Sequence, residues 1–235
     1  MRDVEATAFD RKLAGLLDDI YRRLFACYGP QHWWPADAPF EVIVGAILTQ
    51  SCAWRNVVRA IAALKDAGAL SAASIRRLDV TELATHIRPC GYYNAKARKL
   101  KCLVAWLEKS CADDLNELTG LDTVSLREQL LSLYGIGEET ADSILLYALD
   151  RPVFVIDAYT RRIINRLGLT GGDSSYARYQ SLFMGNLPQS TGLFNEYHAL
   201  LVRLAKEACR KQPLCLKCPL AHICCHRANQ DWSDR

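Results

Sequence analysis

The sequence predicts an all-α protein, and three observations carry that prediction. Apolar residues recur at helical spacing in most segments, only two short runs resemble strands, and Gly and Pro clusters break the chain at intervals suited to helix connections. In chain order, Leu13, Leu16, Leu17, Ile20 and Leu24 mark one face of an early helix, and Ala141, Ile144, Leu145 and Ala148 mark a later one. Val42–Leu48 is short and almost wholly apolar, so periodicity alone leaves it open as a buried helix or a strand. Val153–Ile156 is the other strand-like run, and it is too isolated to build a sheet. The punctuation falls at Gly29-Pro30, Pro35 to Pro39, Pro89 to Gly91, Gly135 to Gly137 and Gly171-Gly172. No repeat, low-complexity tract or flexible linker interrupts the pattern.

A chain of 235 residues can bury one sizeable core or two small ones. Half the residues are apolar and 23% are charged, the balance of a soluble globular protein. No apolar stretch reaches the roughly 18 residues that a spanning helix needs. Met1 to Arg11 is polar and charged, without a signal-peptide core. The expectation is therefore a cytoplasmic protein, nucleoid-associated if bacterial, with no membrane partner. A net charge of +3 is too mild to name a polyanion partner, but the cations are clustered. Arg203, Lys206, Arg210, Lys211, Lys217 and Arg227 face the single acid Glu207 in one segment, and Lys96, Arg98, Lys99 and Lys101 form another run. Such clusters mark either a polyanion-binding face or a solvated helix surface.

Leu133-Tyr134-Gly135-Ile136-Gly137-Glu138-Glu139-Thr140 predicts one helix ending, a tight turn and a second helix opening. Gly135 and Gly137 lack a Cβ, so the turn can take positive φ and admit another backbone closely. Ile136 can plug the turn into the core. The second helix opens with N–H groups that have no intrahelical acceptor, which makes a phosphate site; a plain hairpin turn is the alternative. Further on, Asp157 follows four apolar residues at the start of another helix. The helix dipole favours a carboxylate there, and Asp is also a good N-cap, so one residue can serve both roles.

Ten cysteines in a reducing compartment more readily mean a metal site than a disulfide framework. Cys209, Cys215, Cys218 and Cys224 are spaced C-x5-C-x2-C-x5-C. Four such thiolates can surround one tetrahedral ion or one iron–sulfur cubane, and zinc ribbons usually pair two C-x2-C knuckles where only one is present. Cys225 directly follows Cys224, which leaves the fourth ligand open by one place. Cys27, Cys52, Cys90, Cys102 and Cys111 are isolated and read as small buried hydrophobes. Trp33-Trp34-Pro35 and Trp54 suggest an aromatic-lined cavity. Core packing is the alternative for all three tryptophans, and most strongly for Trp34.

The hairpin, followed 18 residues after Glu139 by Asp157 in an apolar-Asp-x-x-x-Arg setting, resembles the helix-hairpin-helix, Gly/Pro-rich, Asp-containing (HhH-GPD) superfamily of DNA glycosylases. Endonuclease III is its best-known member, and the resemblance runs from about Pro39 to Cys224. It implies a two-lobed fold with the active site in the cleft between the lobes. A six-helix barrel would span 32–151, and a helical lobe joining 1–31 to 152–235 would carry the cysteine loop at 209–225. It further implies that Asp157 is catalytic. Double-stranded DNA would be contacted by Gln50, by Tyr93, Asn94 and Lys96 of a Gly-aromatic-Tyr-Asn-x-Lys loop, and by Gly135, Ile136, Gly137 and Thr140 of the hairpin. The cysteine run resembles the 4Fe–4S loop of endonuclease III, which has one more residue in its first gap, so Cys209, Cys215, Cys218 and Cys224 are expected to hold such a cluster.

Two positions narrow the chemistry that the resemblance implies. Glu139 stands where bifunctional members carry a lysine, and a carboxylate cannot form the Schiff base of β-elimination, so no AP lyase activity is expected. Gly45 stands about where the adenine-specific mismatch branch carries its catalytic glutamate. Trp33-Trp34-Pro35, Leu48-Thr49-Gln50 with Trp54, and the Tyr93 loop are similar to the 3-methyladenine DNA glycosylase III group, whose flipped base would lie between Trp33 and Trp54. An N-alkylated purine is cationic, gains about 0.5–2 kcal/mol against a tryptophan face, and already leaves well. The expected function is a monomeric, monofunctional glycosylase for such a base. The rivals are a monofunctional glycosylase for uracil or thymine mismatches and a non-catalytic DNA-binding protein.

Overall fold

The computed structural model describes residues 8–170 and 174–228; Gly171-Gly172 lie outside them. Among the described residues the regular structure is helical, with no strand. The α-helices are α1 Ala8–Tyr28, α2 Pro39–Leu48, α3 Trp54–Asp66, α4 Ala72–Arg77, α5 Val80–His86, α6 Tyr93–Cys111, α7 Thr123–Ser132, α8 Glu138–Tyr147, α9 Ala158–Leu167, α10 Tyr176–Met184 and α11 Thr191–Glu207. None is long and apolar enough to cross a membrane. The starts are written in the sequence: Ser71, Asp79, Asp122, Asp157, Ser175 and Ser190 each accept a hydrogen bond from the backbone N–H three residues on. Pro39 opens α2 at a position where a missing N–H costs nothing.

The chain divides into two compact units, residues 34–151 and residues 1–33 with 152–235. The first boundary lies between Trp33 and Trp34, where the sequence places it between 31 and 32. In the first unit, α2 is the central element. Every residue from Glu41 to Leu48 is buried, and α2 packs against α3, α6 and α8. That settles Val42–Leu48 as a helix: enclosed on all sides, it needs no polar face.

In the second unit, Leu17, Ile20 and Leu24 of α1 are fully buried, as are Tyr197, Leu200 and Leu201 of α11, which packs on both α1 and α9. The Val153–Ile156 run is buried and forms no strand. Side chains satisfy its backbone in place of a ladder: Tyr176 Oη accepts from Ile156 N–H (3.2 Å), and Gln180 Nε2 donates to the Phe154 carbonyl (2.9 Å). The Phe154 ring stacks on Phe183 at 3.8 Å and meets Phe194 and Tyr197 edge-on. This aromatic anchor fixes where α9 begins, and so where Asp157 stands.

Candidate active site

Asp157 caps α9. Its Oδ1 accepts from the Thr160 N–H at 2.6 Å, and the carboxylate is 14% exposed, so it is sheltered but reachable. Its other oxygen, Oδ2, stands 3.8 Å from His198 Nε2 of α11. Burial lowers the His198 pKa below the ordinary imidazole value, while the Asp157 charge pulls it back up. Nothing in the sequence around Tyr197-His198-Ala199 announces this neighbour, because it reaches Asp157 from 41 positions away through the packing of α11 on α9.

The hairpin between α7 and α8 has Gly135 at φ +75°, the left-handed region that suits glycine, and a Cβ there would run into the Lys99 side chain. Gly137 departs from the expectation of positive φ. It is the N-cap of α8 with extended backbone (φ −99°) and no side-chain cap, and a Cβ on it would meet nothing. Ile136 is buried, and its N–H donates to the Leu133 carbonyl, so it anchors the turn and does not face a ligand. Gln50 ties the loop after α2 to the hairpin. Its Nε2 donates to the Gly135 carbonyl (3.1 Å) and to Thr140 Oγ1 (2.9 Å), and its Oε1 accepts from Lys99 Nζ (2.5 Å). Underneath, Arg127 of α7 forks onto Asp142 of α8 at 2.6 and 3.1 Å, with Asp142 fully buried.

The basic run on α6 needs correction. Lys96 is 2% exposed and donates to the Leu48 and Cys90 carbonyls, both at 2.9 Å, and burial lowers its pKa. It caps the carboxyl end of α2 internally and cannot reach a phosphate. Lys101 donates to the carbonyls of Ile75, Arg76 and Leu78 and caps α4. Only Arg98 of that run is exposed, together with Asn94; Tyr93 is half-buried. Sequence proximity to Asn94 misassigns Lys96, because α6 turns it onto the inner face. The neighbouring Tyr92 escapes the sequence argument. It is 76% exposed at φ +46°, a strained aromatic held outward at the N-cap of α6.

Of the aromatic residues, Trp34 meets Trp54: the rings lie 5.3 Å apart at 81°, and Tyr147 of α8 joins at 5.3 Å from Trp34. Trp34 and Trp54 are half-buried and line one cavity with Pro35, Glu41, Gly45 and Val57. Trp33 belongs to the other compact unit. Gly45 makes the arrangement possible, since a Cβ there would meet the Trp34 ring at 3.0 Å. A side chain at this position would require the Trp34 ring to give by a few tenths of an ångström. Glu139 is exposed on the first turn of α8.

The loop after α11 brings Cys209, Cys215, Cys218 and Cys224 around one small cavity, while Cys225 is exposed and packs against Gly168. Burial above all, with the charges of the three other sulfurs and against a backbone hydrogen bond at Leu220, brings the Cys218 thiol up to about 11. Such a site needs a cationic centre to hold four thiolates. Arg166 of α9 closes it: its guanidinium donates to Cys209 Sγ (3.3 Å) and to the Arg210 and Lys211 carbonyls (2.6 and 2.9 Å). Among the described residues no three donors converge on one point as a single ion requires. Arg210, Lys211 and Lys217 on the same loop are exposed.

A provisionally named DNA repair glycosylase of Methanocaldococcus jannaschii is 46% identical over 206 residues, 87% of this chain and 94% of its own. Endonuclease III of Sulfolobus acidocaldarius is 30% identical over 79% of this chain and 81% of its own. The crystal structure of H. pylori 3-methyladenine DNA glycosylase bound to 1,N6-ethenoadenine superimposes with a TM-score of 0.69 at 26% identity, covering 84% of this chain and 97% of that one. The HhH-GPD superfamily of base excision DNA repair proteins matches residues 44–189. The chain belongs to that superfamily and is one of its DNA glycosylases.

Proposed function

We propose that this glycosylase is monofunctional and excises an N-alkylated purine, such as 3-methyladenine, from double-stranded DNA. The observation that carries the substrate reading is the Trp34–Trp54 pair, half-buried, edge to face and backed by Tyr147 above a side-chain-free Gly45. Aromatic faces attract a cationic base, and such a base departs with little acid assistance. Asp157 would then stabilise the developing oxocarbenium ion and position or deprotonate the attacking water. Extruding the base costs a few kcal/mol, least at a weakened pair. The exposed carboxylate of Glu139 supports hydrolysis without strand cleavage, because no amine is offered there.

Cys209, Cys215, Cys218 and Cys224 fit a 4Fe–4S cluster. A cubane takes four thiolates, which suits four cysteines lining one cavity. The cluster would be structural, holding Arg210, Lys211 and Lys217 outward for DNA phosphate.

A panel of single-lesion duplexes tests the reading. Release of 3-methyladenine should exceed that of uracil or mismatched thymine by at least about 10-fold, and borohydride should trap no covalent DNA adduct. Preferred release of a neutral base would overturn the substrate, and efficient trapping would overturn the monofunctional mechanism.

A further inference from the structure

His198 is a buried imidazole placed directly against the carboxylate on which the proposed chemistry rests. The two Asp157 oxygens have different company: Oδ1 is fixed by the Thr160 N–H at 2.6 Å, and Oδ2 faces His198 Nε2 at 3.8 Å. That second distance suits an ion pair and is too long for a hydrogen bond. The imidazole is 8% exposed and lies edge-on to Phe154 (6.4 Å, 83°), so it stands on the aromatic anchor of this unit.

Asp157 is a charge that acts on it, pulling its pKa up against the effect of burial. The cations of α9 are engaged elsewhere: Arg161 lies over the Tyr176 and Tyr179 rings and donates to the Ser174 carbonyl, and Arg162 donates to the Cys209 carbonyl. From α1, Tyr21 packs on Tyr197, and Asp18 acts on Tyr197. The Tyr197 hydroxyl donates to the Leu17 carbonyl.

We propose that His198 is a positioning residue for Asp157: neutral at working pH it leaves Oδ2 charged and available, and protonated it closes onto Oδ2 as an ion pair that withdraws the carboxylate from catalysis. Burial disfavours the imidazolium and the adjacent carboxylate favours it, so the switch operates on the acid side of neutrality. The inference rests on Asp157 being catalytic, and it adds the group that sets the acid limit of that catalysis.

The test is a single-turnover pH profile of the intact protein beside His198→Gln and His198→Phe, each normalised to its own neutral plateau. Neither replacement can be protonated, so the acid limb should move down by about one pH unit or more, the size of shift an opposite charge produces at this range. An acid limb unmoved in both variants overturns the proposal. Melting temperatures identify a variant that fails to fold. An NMR titration of His198 covers that case, because Asp157→Asn should lower its midpoint by about one unit or more. An unchanged midpoint overturns the proposal without any activity measurement. Wild-type excision by Asp157→Asn would sink the catalytic reading and this inference with it, whereas an inactive Asp157→Asn with an unmoved acid limb in the His198 variants sinks the inference alone.

Discussion

In the proposed mechanism Asp157 combines two duties that its position makes compatible. The N-cap bond occupies Oδ1, and Oδ2 faces the His198 imidazole at 3.8 Å. Asp157→Asn keeps the side chain's size and its capping oxygen but removes the charge. If that charge stabilises a cationic transition state, single-turnover excision should fall by about 10²-fold or more while affinity for undamaged duplex stays near wild type. Trp34→Ala and Trp54→Ala should fail in another way. Each should lose about 1–3 kcal/mol of base stacking, read as weaker lesion-specific binding and excision with ordinary duplex affinity retained. Wild-type excision by folded Trp34→Ala would make the pair a packing contact and remove the support for an alkylated purine.

At the scale of elements, the α7–α8 hairpin is held from below and from the side. The Arg127 fork onto buried Asp142 joins the two helices, and Gln50 with Lys99 braces the turn from the loop after α2 and from α6. Removing Asp142 leaves Arg127, a quarter exposed, with Glu138 at 3.7 Å in place of its fork, a loss of about 1–3 kcal/mol. Asp142→Ala should therefore lower stability by that amount in denaturant melts, whereas Gln50→Ala should cost much less and act mainly on DNA binding. Equal stability losses in the two would mean that Gln50 is only a brace. Lys96 belongs to the same scale: it resembles a phosphate contact in the sequence and serves as an internal cap, because α6 is amphipathic and position 96 is on its buried face.

At the scale of the whole molecule, the cysteine loop and α9 form one mechanical unit. Arg166 of α9 holds the Cys209–Lys211 segment, Cys224 Sγ contacts the Arg166 carbonyl, and Asp157 lies at the other end of the same helix. Purified protein should be yellow-brown with absorption near roughly 400 nm, as thiolate-bound iron–sulfur centres are. Cys218→Ser should bleach it and lower the melting temperature, since a structural metal contributes folding free energy. A colourless wild type with one zinc per chain and full activity would replace the cluster with a single ion.

The all-α class, the hairpin, Asp157 at its helix start and the four-cysteine run were legible in the sequence because each is local. Period, cap, turn and spacing are set by neighbours a few positions apart. What only the tertiary structure decided depends on which way a residue turns and what packs against it. A fully enclosed α2 has no polar face to reveal its period. Lys96 is drawn inward by two distant carbonyls, Trp34 is admitted by the missing Cβ of Gly45, and His198 is carried to Asp157 by the packing of α11 on α9. Those are contacts between residues far apart in the chain, and no spacing along the sequence encodes them.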